Sequence, residues 1–197
     1  MKEPTVVGID LAGAPHRPTG WCTLKGLQAE TGLIYPDEEI LSRIRKEKPD
    51  LVAVDAPLTL PPGRKSIKEK NGSHFRPCDE ELRRKKIPFF PITLGPMRAL
   101  TERGIELKKR LEKDGFQVVE VYPGGAQDVW QIPRAKKDLS RLRKGLGQLG
   151  IKGLKKEITD HELDAAAGAL VGLFFLDGKA EVYGDFETGA ILMPPSF

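Results

Sequence analysis

The sequence predicts an α/β domain in which a central mixed sheet is flanked by helices. Short β-branched runs (Thr5–Leu11, Leu51–Asp55, Gln117–Tyr122) alternate with longer amphipathic or basic stretches. At 197 residues, with 39% hydrophobic and 30% charged side chains, the chain suits one soluble domain with a sizeable core. About five strands are expected.

The elements follow in order. Thr5–Leu11 reads as a buried strand, bounded by Pro4 and the loop from Gly13 to Gly20. Trp21–Lys25 and Leu27–Tyr35 read as a hairpin turned at Gly26. Pro36-Asp-Glu-Glu opens a helix, with acids in its first turn and Ile40, Leu41 and Ile44 on one stripe. Leu51–Asp55 is a second apolar strand, stopped by Ala56-Pro57. Residues 59–96 are Pro-rich, basic and irregular, with helical character only at Asp79–Lys86; so long an insertion inside one domain is more often functional than idle.

Met97–Asp114 is a basic helix ended by Gly115, with Leu100, Ile105, Leu107 and Leu111 toward the core. Gln117–Tyr122 is a strand ending at Pro123-Gly124-Gly125. Two short helices are expected at 126–131 and 138–149. Thr159 and Glu162 form a capping box for a helix running to about Leu176. Ala180–Tyr183 and Ala190–Met193 suggest a closing hairpin or edge pieces.

Composition narrows the chemistry. Two cysteines (Cys22, Cys78) cannot build a disulfide framework or an all-Cys zinc site. Three histidines without HExxH or His-x-His spacing speak against a zinc enzyme. Met1–Pro4 shows no apolar leader, and the longest apolar run, Ala165–Leu176, is too short to span a bilayer. A cytoplasmic location is therefore expected. A single Asn beside many Lys, Arg and Glu leans toward a thermophilic source.

The net charge of +4 conceals a pattern. Residues 64–113 carry 15 basic and 7 acidic side chains, and residues 134–157 carry 9 and 2. The three intervening segments are net acidic. One basic block alone is best read as a solvated face; two, set around acidic segments, fit a phosphate-binding rim around a carboxylate centre.

Three strands end in an acid: Asp10, Asp55 and Glu120. Strand ends of an α/β sheet share the edge where ligands bind. One such acid is usually a turn starter; three together would repel unless a cation sat among them. The last helix adds Asp160 and Asp164, four apart on one face. Asp160 is explained as a cap, but Asp164 lies inside an apolar, Ala-rich stretch. Such oxygen donors suit a pair of Mg²⁺ or Mn²⁺ ions, which can drive phosphodiester cleavage. Arg64 and Arg76 are the expected substrate phosphate contacts, since Arg forks match phosphate oxygens.

At these residues the chain resembles the ribonuclease-H-like superfamily, and within it the DUF429 family of predicted nucleases. The matching pieces are Gly8–Asp10 with Gly20–Trp21, Val52–Leu58, Cys78–Arg83, Val119–Gly125, Asp160–Leu170 and Asp185–Pro194. They run in order along nearly the whole chain. The resemblance implies a single ribonuclease-H-like three-layer domain with metal ligands at Asp10 (first strand), Asp55 (fourth strand) and Asp164 (closing helix). Glu120 would assist, and Asp160 would be either a cap or a further ligand. Sugar kinases and actin-like ATPases share this superfamily, but Asp10-Leu-Ala-Gly13 lacks their Gly-rich continuation. The expected function is a divalent-metal-dependent nuclease acting on DNA or RNA. Two alternatives stay open: a non-catalytic nucleic-acid-binding module, and a nucleotide or small phosphoester hydrolase.

Overall fold

A computed structural model of the chain describes residues 3–195; Met1 and Lys2, on which the expectation of no leader partly rests, lie outside the described residues. The strands β1 (Thr5–Asp10), β2 (Thr19–Lys25) and β3 (Gln28–Ile34) form an antiparallel meander. Gly26 makes its tight turn at φ 55°, a backbone region that suits glycine. The helix α1 (Asp37–Glu47) and strand β4 (Leu51–Asp55) follow, and β4 pairs parallel with β1. The long segment after β4 holds one helix, α2 (Pro77–Arg84), before α3 (Gly95–Lys113). Strand β5 (Val118–Val121), helices α4 (Pro123–Val129), α5 (Leu139–Gln148) and α6 (Asp160–Leu176), and the hairpin β6 (Glu181–Asp185) and β7 (Gly189–Met193) complete the chain.

The sheet has seven strands in the order β3-β2-β1-β4-β5-β7-β6. Two more strands join it than the five expected, because β7 pairs parallel with β5 and brings β6 with it. The rest of the expectation, an α/β domain with a mixed central sheet, is met by strands 3-2-1-4-5 and by helices on both faces. Helices α2 and α4 begin two and three residues earlier than expected, at Pro77 and Pro123. Proline belongs at a first helical position, where its missing N–H has no partner to lose.

Alternation along the strands divides the core in two. Val6, Cys22, Leu24, Ala53, Val119 and Val121 face α4, α5 and α6. Val7, Ile9, Trp21, Val52 and Val54 face α1 and α3. A smaller cluster joins Cys78 and Leu82 of α2 to Tyr183, Ile191 and Met193 of the hairpin. No described helix is long and apolar enough to cross a membrane.

Helix α6 begins with the expected capping box: the Thr159 hydroxyl accepts from the Glu162 N–H, and the Glu162 carboxylate accepts from the Thr159 N–H. It then lies directly on β1 and β2. A Cβ on Gly8 would collide with the Ala165 carbonyl oxygen and stand 2.9 Å from the Ala169 Cβ; one on Gly20 would collide with the His161 carbonyl. Two glycines on the sheet and a face of Ala165 and Ala169 on the helix therefore set the helix height, and with it the height of Asp164 and His161 above the strand ends.

Gly8→Ala is expected to lower stability by about 3 kcal/mol, since overpacking a backbone contact has no soft neighbour to displace. Gly32→Ala, where a Cβ meets nothing within 4 Å, is expected to be neutral. Urea denaturation measures both; equal midpoints for the two variants would contradict the close helix–sheet contact.

Candidate active site

The strand register brings the first two acids together. Asp10 and Asp55 are direct partners across the parallel β1–β4 ladder. Both follow residues of the α1–α3 face (Ile9 and Val54), so both project toward α6. From above, α6 adds Asp164, and Asp160 and His161 at its first turn. The structure thus gathers Asp10, Asp55 and Asp164 at one sheet edge.

Glu120 is placed differently. It pairs with Val54 in the β4–β5 ladder and lies between Val119 and Val121, both on the α6 face. Its side chain therefore leaves on the opposite face of the sheet. There it accepts two bonds from Arg76, from Nη1 at 2.7 Å and from Nη2 at 2.8 Å, and a third from the Leu58 N–H at 2.8 Å. Burial pushes the Glu120 carboxyl up, and Arg76 partly offsets this.

Arg76 and Arg64, expected at a substrate phosphate, are both buried and occupied within the protein. Arg76 is 2% exposed and bridges Glu120 to Asp79, donating to the latter from Nη2 at 2.9 Å. Against the cost of burial, these two carboxylates hold its guanidinium charged. Arg64 donates to the carbonyls of Glu69, Gly72 and Ser73 and so closes its own loop. All five donors of Arg76 are used in this way, so it has none to offer an incoming anion, and three of the five on Arg64 are spent on its own loop. The correction has a simple origin: a chain segment with little regular structure needs side-chain donors for its carbonyls.

The three aspartates differ in their surroundings. Asp55 accepts no hydrogen bond from a described residue; burial, then Asp10, Asp164 and Glu120, push its carboxyl well above the usual range. Asp164 is pushed up to about 7, first by burial and then by Asp10, although the Gln127 Nε2 donor at 2.6 Å favours its charged form. Asp10 Oδ2 lies 2.5 Å from His161 Nδ1, and that contact raises the imidazole pKa despite partial burial. Asp160 accepts the N–H of His161 at 3.0 Å, a capping contact.

His161 and Gln127 were not among the expected site residues. His161 sits three positions before Asp164, the spacing of neighbours on one helix face, and that signal was readable. Gln127 reaches the site only because α4 packs beside α6, which no local pattern shows.

In this conformation no group of three or more His, Cys, Asp or Glu side chains among the described residues is preassembled around one ion position. The donor chemistry nonetheless fits a hard divalent cation. Three carboxylates gather where burial, and after it their mutual repulsion, raises Asp55 and Asp164, and Asp55 has no donor among the described residues to balance it.

Beside the acids lies a cavity of about 200 Å³. Asp10 and Asp55 form part of its wall, and Phe89, Phe90, Ile92 and Met97 form much of the rest.

The model of the DUF429 family, described as a protein of unknown function, matches residues 8–188. No curated protein matches the chain. Two solved structures show a likeness of fold. One is Thermus thermophilus RuvC in complex with a Holliday junction substrate, 18% identical, covering 88% of this chain and 96% of that one at a TM-score of 0.46. The other is Thermus thermophilus RuvC, 17% identical with the same coverage and a TM-score of 0.44.

The raised Asp164 carboxyl gives a signed expectation. Its folded-state pKa lies above the unfolded value, so its ionisation costs stability as pH rises from about 4 through 7 in metal-free protein. Asp164→Asn keeps an acceptor for Gln127 without the charge. In EDTA it is expected to be more stable than the native protein at pH 7.5 and to lose that advantage at pH 4.5. Urea melts at the two pH values decide it; an advantage independent of pH would contradict the placement of Asp164 among like charges.

Proposed function

The chain belongs to the DUF429 family, and from the site just described we propose that it is a divalent-metal-dependent phosphodiesterase acting on nucleic acid. One observation carries the reading: Asp10, Asp55 and Asp164 gather at the C-terminal edge of the sheet, with Asp55 and Asp164 pushed up first by burial and then by the neighbouring acids, a cost that a bound cation would offset. Asp10, Asp55 and Asp164 would hold Mg²⁺ or Mn²⁺, with Asp160 near enough to contribute to their field. Bound there, such ions activate water and stabilise a leaving oxygen.

The chain's own residues supply position and proton control. Strand ends fix Asp10 and Asp55, which need no side-chain ordering beyond their own rotamers. Gln127 orients Asp164. His161, bonded to Asp10 through Nδ1 and partly exposed, holds a proton at the rim and leaves the Asp10 oxygen free when it turns away. Glu120 acts through Arg76, keeping the segment after β4 packed against the sheet.

The two basic blocks supply the attraction a polyanion needs. Arg98, exposed at the start of α3 beside the cavity residue Met97, is bonded only through Nε, to the Thr93 carbonyl at 2.7 Å. Its remaining N–H groups make it a further candidate to meet a phosphate, where Arg76 is fully engaged.

Purified protein is expected to cleave DNA or RNA oligonucleotides in Mn²⁺ or Mg²⁺ and not in EDTA. Asp55→Asn is expected to slow cleavage by at least about 100-fold while folding normally, because the change removes a repelled charge. A panel of single-stranded, duplex and branched substrates reads both. Salt-sensitive binding without turnover would show a binding module instead, and turnover of nucleotides alone would show a small-phosphoester hydrolase.

A further inference from the structure

We propose that the apolar cavity beside the carboxylates receives one unpaired base of the substrate strand, with Phe90 as the face on which it stacks. This rests on the nucleic-acid reading above and narrows it to substrates with an unpaired nucleotide at the site.

The chemistry of the walls is the first argument. A site built for phosphate alone would be surrounded by donors. Here Asp10 and Asp55 give way to Phe89, Phe90, Ile92, Met97 and Leu100, and the remaining acids of the wall, Glu120 and Asp79, are paired with Arg76. The cationic group that also borders the cavity, Arg76, is held by Glu120 and Asp79. A ligand that satisfies both parts must place an anion at the carboxylate end, bridged by a cation, and a flat apolar body against the Phe and Met walls. A nucleotide has that construction.

The second argument is the presentation of Phe90. Its ring is 72% exposed, the most open large apolar side chain among the described residues, and it has no aromatic or cationic partner there. Its segment is nevertheless fixed. Phe89 packs edge-on against Phe75 with centroids 6.1 Å apart. The Pro88 carbonyl accepts from the Tyr122 hydroxyl at 2.6 Å and from Arg134 Nη2 at 3.2 Å. Asp128 holds Arg134 in turn. An exposed ring on a pinned segment is preorganised to stack, so binding carries little ordering cost.

Size decides between a paired and an unpaired base. About 200 Å³ is below the range of drug-sized pockets. It suits one base with part of its sugar and excludes a base pair. A base inside a duplex is already stacked on both sides and would have to leave the helix to enter. The walls offer the base edge few polar partners, so the pocket is expected to accept all four bases with small differences.

The test is binding of oligonucleotides carrying one 2-aminopurine, in deoxyribo and ribo form, measured by fluorescence in Ca²⁺, a hard cation that carboxylates bind, with gels confirming that the strands stay intact. The native protein is expected to give a saturable signal with single strands. Affinity should fall about tenfold in Phe90→Ala, and by a similar factor when the bases are replaced by abasic sites. Phe90→Trp should retain binding. Phe186→Ala, which removes another exposed ring that packs on Phe175, should match the native protein. Equal binding by Phe90→Ala and native protein, equal affinity for duplex and single strand, or no binding of any strand would each overturn the proposal. Calorimetric Mn²⁺ titration of Phe90→Ala reads the carboxylate centre separately. Loss of stacking with unchanged Mn²⁺ binding supports the pocket assignment. A protein that binds no Mn²⁺ and cuts nothing, yet stacks a base on Phe90, would sink the phosphodiesterase reading and leave the pocket standing.

Discussion

The contact between α6 and the sheet at Gly8 and Gly20 sets the geometry on which the candidate site depends. Helix and strands meet there through backbone and Ala side chains, with no room for a further methyl group on either glycine. Ala166, Ala167 and Ala169, all fully buried, continue the small-residue character of α6, and Gly172 lets the helix pass within reach of Val6 and Ala53. A helix held this low delivers its first turns onto the ends of β1 and β4. Asp164 and His161 arrive over Asp10 for that reason. A larger residue at any of these contacts would lift the helix and part the carboxylates before it affected anything else.

Two buried arginines organise the irregular segment between β4 and α3. Arg76 ties α2 to β5 through Glu120 and completes an unusual helix start, in which Asp79 bonds the Arg76 backbone N–H and its guanidinium alike. Arg64 gathers three carbonyls of its own loop. Removing one partner of such a buried pair is far more damaging than the net value of the pair suggests, because the other charge is left uncompensated. The segment that forms the apolar wall of the cavity is thus held from both sides, by Arg76 at its root and by Tyr122 and Arg134 at Pro88.

Much of this was legible in the residues. Leu51–Asp55 and the capped α6 stand where periodicity and capping place them, and the acids at the ends of β1 and β4 lie side by side, as their strand-end positions suggested. The sequence also held a signal that end-of-strand position alone overlooks. In Val119-Glu120-Val121 the flanking valines share one face, so Glu120 must take the other, where Arg76 meets it and where it still borders the cavity that Asp10 and Asp55 line. His161 was readable by its spacing from Asp164. What could not be read depends on contacts distant along the chain: Arg76 meets Glu120 across 44 positions, Gln127 meets Asp164 across 37, and β7 pairs with β5. Local pattern carries no information about such partners, and both arginines look from the sequence like solvated ligands for phosphate.

The account rests on one claim, that Asp10, Asp55 and Asp164 form a cation site whose repulsion is relieved on binding. Crystals soaked in Mn²⁺ and measured at a wavelength where manganese scatters anomalously test it directly. The account predicts anomalous density between the ends of β1 and β4 and the first turns of α6, coordinated by these three carboxylates, with the His161 ring released from Asp10. Density absent from that edge at saturating Mn²⁺, or an Asp10–His161 contact unchanged beside an ion bound elsewhere, would contradict it.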